Sequence, residues 1–225
     1  VSRPFQRYPI RVHIMELVHS FLKILIPLLI IMDPLGNLGP FLALTERDRH
    51  AERNRIARTA AVTAGLILVF FCLTGDYVLL FFAISLPAFQ LAGGFVFFVH
   101  ALQMLNLIGA GFKTSSEEEE ERMTRQNVAL VPLATPLLAG PGAITAVLVW
   151  RDQSGQSVHL ALLLLSILIS CTVVYGVFRF GARIFDAIGI SGIRVVTRLL
   201  GLLLAVIAVQ FMVTGFQQIQ SAVPG

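Results

Sequence analysis

Asp33-Pro34-Leu35-Gly36-Asn37-Leu38-Gly39-Pro40 interrupts an apolar stretch running from about residue 18 to 44, and Thr135-Pro136-Leu137-Leu138-Ala139-Gly140-Pro141-Gly142 interrupts another from about 128 to 150. Each octet sets a polar residue before a proline and follows it with a Gly-Pro pair. Proline removes a backbone donor and glycine tolerates open turns, so each octet breaks a helix. Hydrocarbon cannot satisfy the amides and carbonyls that such a break frees. Two breaks in corresponding places therefore mark a protein-lined interior in a membrane protein.

The surrounding sequence agrees. Of 225 residues 56% are hydrophobic and 13% charged, with a mean hydropathy of +0.81. Soluble domains carry about 25% charged residues. Six apolar stretches, near 18–44, 58–75, 87–108, 128–150, 159–178 and 195–218, approach the roughly 20 residues a helix needs to cross hydrocarbon. They are continuous, without the ten-residue alternation of barrel strands, so the expected fold is an all-α integral membrane protein with six transmembrane helices. Arg3, Arg7 and Arg11 make residues 1–17 a basic N-terminal segment, which shows no short apolar region ending in a cleavage site; the first span is expected to be permanent. The basic pI near 9.6 is read as orientation and contact with anionic membrane lipids, not nucleic acid. Cys72 and Cys171 sit in apolar spans without metal or redox spacing and read as packing residues.

Internal repetition carries most of the information. Gly94 through Gln103 aligns with Gly201 through Gln210 at a constant offset, and the two octets share their pattern of a polar residue, proline and a Gly-Pro pair. The chain divides into a first three-helix repeat, 18–110, a charged linker, 111–127, and a second repeat, 128–220, each opening with its broken helix. Arginine placement tests their relative orientation. Arg47, Arg49, Arg53, Arg55 and Arg58 follow the first span, against only Arg151 after the fourth; residues 76–88 have no Lys or Arg, whereas their counterpart holds Arg179, Arg183 and Arg194. Parallel repeats would share a bias, so the opposition predicts inverted topology. With basic loops in the cytoplasm, both termini lie outside and the linker, with its Glu117–Glu121 run, lies inside as a solvated connector. The basic N-terminal segment runs against that orientation, and re-entrant broken helices would alter it.

The breaks are the expected site, facing one another across a polar pocket midway through the bilayer. Half-helix ends present partial charges of both signs, which suits a zwitterion. Asp33, the acidic residue well inside an apolar span, is read as ligand to a coupling H+ or Na+, as partner to a substrate ammonium, or as a cap on the amides after Pro34; the roles are compatible. Thr135 caps the matching position without charge. Asn37 and Thr145 are expected substrate contacts, and Gly36, Gly39, Gly140 and Gly142 allow close approach of a ligand or another helix. Gln103 and Gln210 are repeat-related amides suited to interhelical bonding or a secondary site; Arg198 is read as snorkelling to the interface and His100 as packed.

The blocks Asp33-Pro34-Leu35-Gly36-Asn37, Pro132-Leu133-Ala134-Thr135-Pro136-Leu137 through Gly140-Pro141, and Arg198-Leu199-Leu200-Gly201 ending at Gln210 together resemble the MarC family of inner-membrane proteins. The likeness covers nearly all of the chain after residue 17, but not the basic N-terminal segment or the glutamate run. It implies a bacterial or archaeal cytoplasmic membrane, the neutral amino acid transporter class, and an elevator-like movement of the halves. The expectation is a secondary transporter of small neutral amino acids such as glycine, alanine or serine. No cofactor is expected beyond the coupling ion, and a homo-oligomer is compatible with this reading. A passive channel or a membrane scaffold is the alternative. An intramembrane enzyme is disfavoured because no nucleophile-base pair, metal cluster or carboxylate pair is apparent, and no nucleotide-binding loop indicates ATP drive.

Overall fold

A computed structural model describes residues 10–108, 138–152 and 157–222, and all of its regular structure within them is helical. In chain order the helices are α1 (Ile10–Met32), α2 (Leu38–Leu44), α3 (His50–Phe81), α4 (Leu86–Met104), α5 (Pro141–Asp152), α6 (Ser157–Arg179) and α7 (Gly181–Ala222). Among the described residues α1, α3, α4, α6 and α7 are long and apolar enough to cross a membrane. Their outward faces carry Leu66, Phe70, Leu73, Leu168, Leu202 and Val206, all exposed. A belt of that extent suits a lipid solvent and not water.

Two helices run further than hydropathy predicts. The second span, expected over 58–75, continues as α3 from His50 to Phe81, because arginines on its first turns are compatible with helix although not with hydrocarbon. The sixth, expected over 195–218, begins at Gly181 and is bent at Gly189, whose φ of 70° and ψ of 166° are open to glycine and little else.

Several ends follow local rules. Helix α4 opens with Ser85 before Pro87 and closes with Asn106 in the left-handed region (φ 59°). There Asn106 N donates to Gln103 O and Leu107 N to Leu102 O, the bond pair of a Schellman cap. Helix α3 closes the same way, Ala83 N to Leu80 O and Ile84 N to Leu79 O, with Ala83 at φ 52°.

Small residues set the packing. Ala57, Ala60, Ala61, Ala64, Leu68, Cys72, Gly75 and Leu79 form the buried stripe of α3 at helical spacing, against α5 and α6. The most extensive pairing is α4 with α7. A Cβ on Gly94 would lie 2.9 Å from Ala208 O, one on Gly201 3.3 Å from Ala101 O, and one on Gly215 2.8 Å from Pro87 O. Residue numbers rise along α4 as they fall along α7, so the two helices are antiparallel.

Polar contacts gather at the two ends of the bundle. At one end Arg53 Nη2 donates to Thr45 O (3.1 Å), and Tyr175 Oη (3.0 Å) and Arg179 Nη1 (3.1 Å) both donate to Asn54 Oδ1. Phe41 of α2 stacks on Phe178 of α6, with ring centroids 4.4 Å apart. Toward the far end of α3, Asp76 meets Arg151 at 3.7 Å, a half-exposed pair worth about 0–1 kcal/mol.

Candidate functional site

The first break lies between α1 and α2. Asp33, in the left-handed region at φ 41°, donates its amide to Leu29 O and so ends α1. Its Oδ1 accepts the Gly36 amide at 3.0 Å, and its carbonyl accepts the Asn37 amide at 3.0 Å. The Asn37 side chain turns back, Nδ2 donating to Met32 O at 2.9 Å. The Asp33 carboxylate therefore caps the turn that follows Pro34, while α2 itself opens at Asn37 without a side-chain cap, and the carbonyl freed at Met32 is satisfied from within the break. Both side chains are buried. A Cβ at Gly36 would strike the Asp33 carboxylate, which explains the glycine.

The second break is described from Leu138 onward; Thr135 lies outside the described residues. Gly140 O accepts the Ile144 amide at 3.1 Å, opening α5. Thr145 is buried, its Oγ1 bonded to Pro141 O (2.8 Å) and its methyl pressed on Gly93 of α4. Its hydroxyl thus serves its own helix. Gly142 faces Phe97 and Ile31: a Cβ there would lie 2.9 Å from the phenyl ring and 3.6 Å from Ile31 Cγ2. The two breaks are hence neighbours, but these flanks meet through apolar contact, with Ile31 and Phe97 between them. The open space lies elsewhere.

A cavity of about 210 Å³ adjoins the first break, with Gly36, Gly39, Asn106, Arg194 and Thr197 among its lining. Nothing lies within 4 Å of a Cβ built on Gly39, so that glycine borders open space. Phe185 and Ile190, on either side of the Gly189 bend, also reach the cavity. Thr197 Oγ1 is buried and has no hydrogen-bond partner among the described residues; the same holds for Gln90 Oε1, at the repeat-related position of α4.

Of the residues singled out from sequence, Gly36 and Gly39 line the cavity, and Asp33 and Asn37 support it from behind. Gly140, Gly142 and Thr145 belong to the α4–α5 side. Gln210 is exposed and bonds Thr214 Oγ1 (3.2 Å) on its own helix. Arg198 is exposed, as a snorkelling side chain is. Arg194, Thr197 and Asn106 escaped sequence reading. The available signal was spacing: Ile190, Ile193, Arg194 and Thr197 recur at i, i+3, i+4 and i+7, one helical face. Among the described residues no group of His, Cys, Asp and Glu could hold a metal ion.

Comparison with known proteins is consistent along the chain. Residues 18–220 match the model of the MarC family, described as integral membrane proteins. A UPF0056 membrane protein of Methanocaldococcus jannaschii is 38% identical over 83% of this chain and 91% of its own length. Another from Aquifex aeolicus is 36% identical, and YhcE of Escherichia coli, also a UPF0056 membrane protein, 32% identical, each over 88% of this chain and 93% of its own. No solved structure matches. With its family match spanning nearly all of the described helices, and those helices apolar enough to cross a bilayer several times, the chain is a multi-pass integral membrane protein of the MarC family.

Proposed function

We propose that the protein is a secondary transporter of small neutral amino acids of the glycine, alanine or serine kind, working by alternating access between two inverted three-helix halves. The observation that carries this reading is the break between α1 and α2, whose glycines Gly36 and Gly39 border a cavity and whose flank, Ile31, lies against Gly142 at the start of α5. Broken helices at that position supply backbone charge without a buried ionised pair, an arrangement suited to solutes that bind and leave.

Inversion of the halves is supported by reciprocity. Gly94 packs against Ala208 and Met212, and its repeat partner Gly201 packs against Ala101 and Leu105, the repeat partners of those residues. Equivalent helices that cross antiparallel are what a two-fold axis in the membrane plane produces. The helices that follow the breaks agree with the same exchange: α2 touches α6 and α7 as α5 touches α3 and α4. The arginine-rich end, with Arg53 and Arg179, is assigned to the cytoplasm, which sets both termini outside a bacterial or archaeal inner membrane.

Asp33 is the coupling residue in this scheme. A carboxylate offers about four acceptor sites. The Gly36 amide occupies one, leaving capacity for H+ or Na+. Purified protein in liposomes tests the reading. Labelled alanine should accumulate above its outside concentration when a proton or sodium gradient is imposed; equilibration without accumulation would indicate a passive channel, and no uptake of alanine, glycine or serine would remove the proposal.

A further inference from the structure

We propose that the α7 wall of the cavity binds the solute through a carboxylate, with the Arg194 guanidinium holding the anion and the Thr197 hydroxyl donating to it. This deepens the transport reading and rests on it for the class of solute. Five other threonines, at 45, 74, 145, 172 and 214, each give their hydroxyl to the carbonyl four residues earlier, at 2.7–2.9 Å. Thr197 has Ile193 at the same offset, yet its buried Oγ1 bonds nothing among the described residues. Thr197 lines the cavity while its Oγ1 is turned away from the open space, and a χ1 rotation brings the unpaired hydroxyl to face a solute there.

Arg194 lies one turn before Thr197 on the same face, and both line the space. Guanidinium pairs with carboxylate through parallel N–H bonds, which supplies direction as well as charge. Gly36, another part of the wall, accepts no Cβ because the Asp33 carboxylate stands against it. A zwitterion would therefore turn its carboxylate toward Arg194 and its ammonium toward the Gly36–Gly39 wall, behind which the Asp33 carboxylate lies. A volume of about 210 Å³ falls below the roughly 300–1,000 Å³ of pockets for drug-sized ligands, which favours a solute of a few heavy atoms. The Gly189 bend shapes the floor, since it brings Phe185 and Ile190 to the same space.

Binding to the full-length protein in detergent, measured by calorimetry with alanine and with alaninamide, tests the assignment separately from transport. Wild-type protein should bind alanine at least tenfold more tightly than alaninamide. Arg194→Gln should lose at least tenfold in alanine affinity and most of that discrimination, Arg194→Lys should lose less, and Thr197→Val should weaken alanine a few-fold; Arg58→Gln, an exposed arginine on α3, should change nothing. Equal affinity of wild type for the two ligands, no binding of alanine, or wild-type affinity in both Arg194→Gln and Thr197→Val would overturn it. Should Arg194→Gln not fold, Thr197→Val and the ligand pair still decide. Arginine-dependent binding without accumulation in liposomes would sink the transport reading and leave this site standing; accumulation with unchanged affinity in Arg194→Gln and Thr197→Val would do the reverse.

Discussion

At the scale of the residue, Asp33 does two separable things. Its side chain caps the turn through Gly36, and its backbone occupies the left-handed region that Asp and Asn tolerate better than most residues. Asp33→Ala should therefore lower unfolding stability by about 1–2 kcal/mol. Asp33→Asn retains an acceptor oxygen and the backbone tolerance, so thermal unfolding should be nearly unchanged. If Asp33 couples an ion, that same variant should lose gradient-driven accumulation while solute exchange persists. Ala83 offers a contrast: it holds a left-handed cap position without glycine's freedom, so Ala83→Gly should raise stability by about 1 kcal/mol in a denaturation assay. The cap at Asp33 was legible from an Asp-Pro pair at a helix break. The fate of Thr145 was not, because a threonine hydroxyl can serve a ligand or its own helix, and sequence does not say which.

Among elements, the α4–α7 crossing governs how the halves fit. Gly94 and Gly201 admit the opposite backbone at repeat-related points, so Gly94→Leu and Gly201→Leu should each destabilise by about 1–3 kcal/mol through overpacking, and to a similar extent. Gly176→Leu in α6, where nothing stands within 4 Å of a Cβ, should be nearly neutral in the same melting experiment. The bend in α7 is a second element-scale feature. Gly189→Ala should cost about 1–3 kcal/mol, since its backbone conformation is essentially confined to glycine. It should also weaken alanine binding if the bend shapes the cavity. Hydropathy placed both crossing helices but missed the short helical run before the Gly189 kink of α7, where Arg183 and Asp186 interrupt the apolar run.

For the whole molecule, the proposed inverted arrangement predicts sidedness. In a chain with Cys72 and Cys171 replaced by alanine, Glu46→Cys and Asp186→Cys should react with an impermeant maleimide from one side of the membrane, and Ser85→Cys from the other. Labelling of all three from one side would exclude the inverted arrangement. The experiment does not depend on solute or ion, so it tests architecture apart from transport.

Membrane residence, the approximate place of five spans and the interrupted helix at Asp33–Pro40 were determined by the chain alone, because hydropathy and Pro/Gly punctuation act over a few consecutive residues. The pairing of Gly94 with Ala208, the meeting of Ile31 and Gly142, and the gathering of Gly36, Asn106, Arg194 and Thr197 around one cavity were decided by tertiary structure. These contacts join residues far apart in sequence, and only the close approach of whole helices selects which side chains share a space.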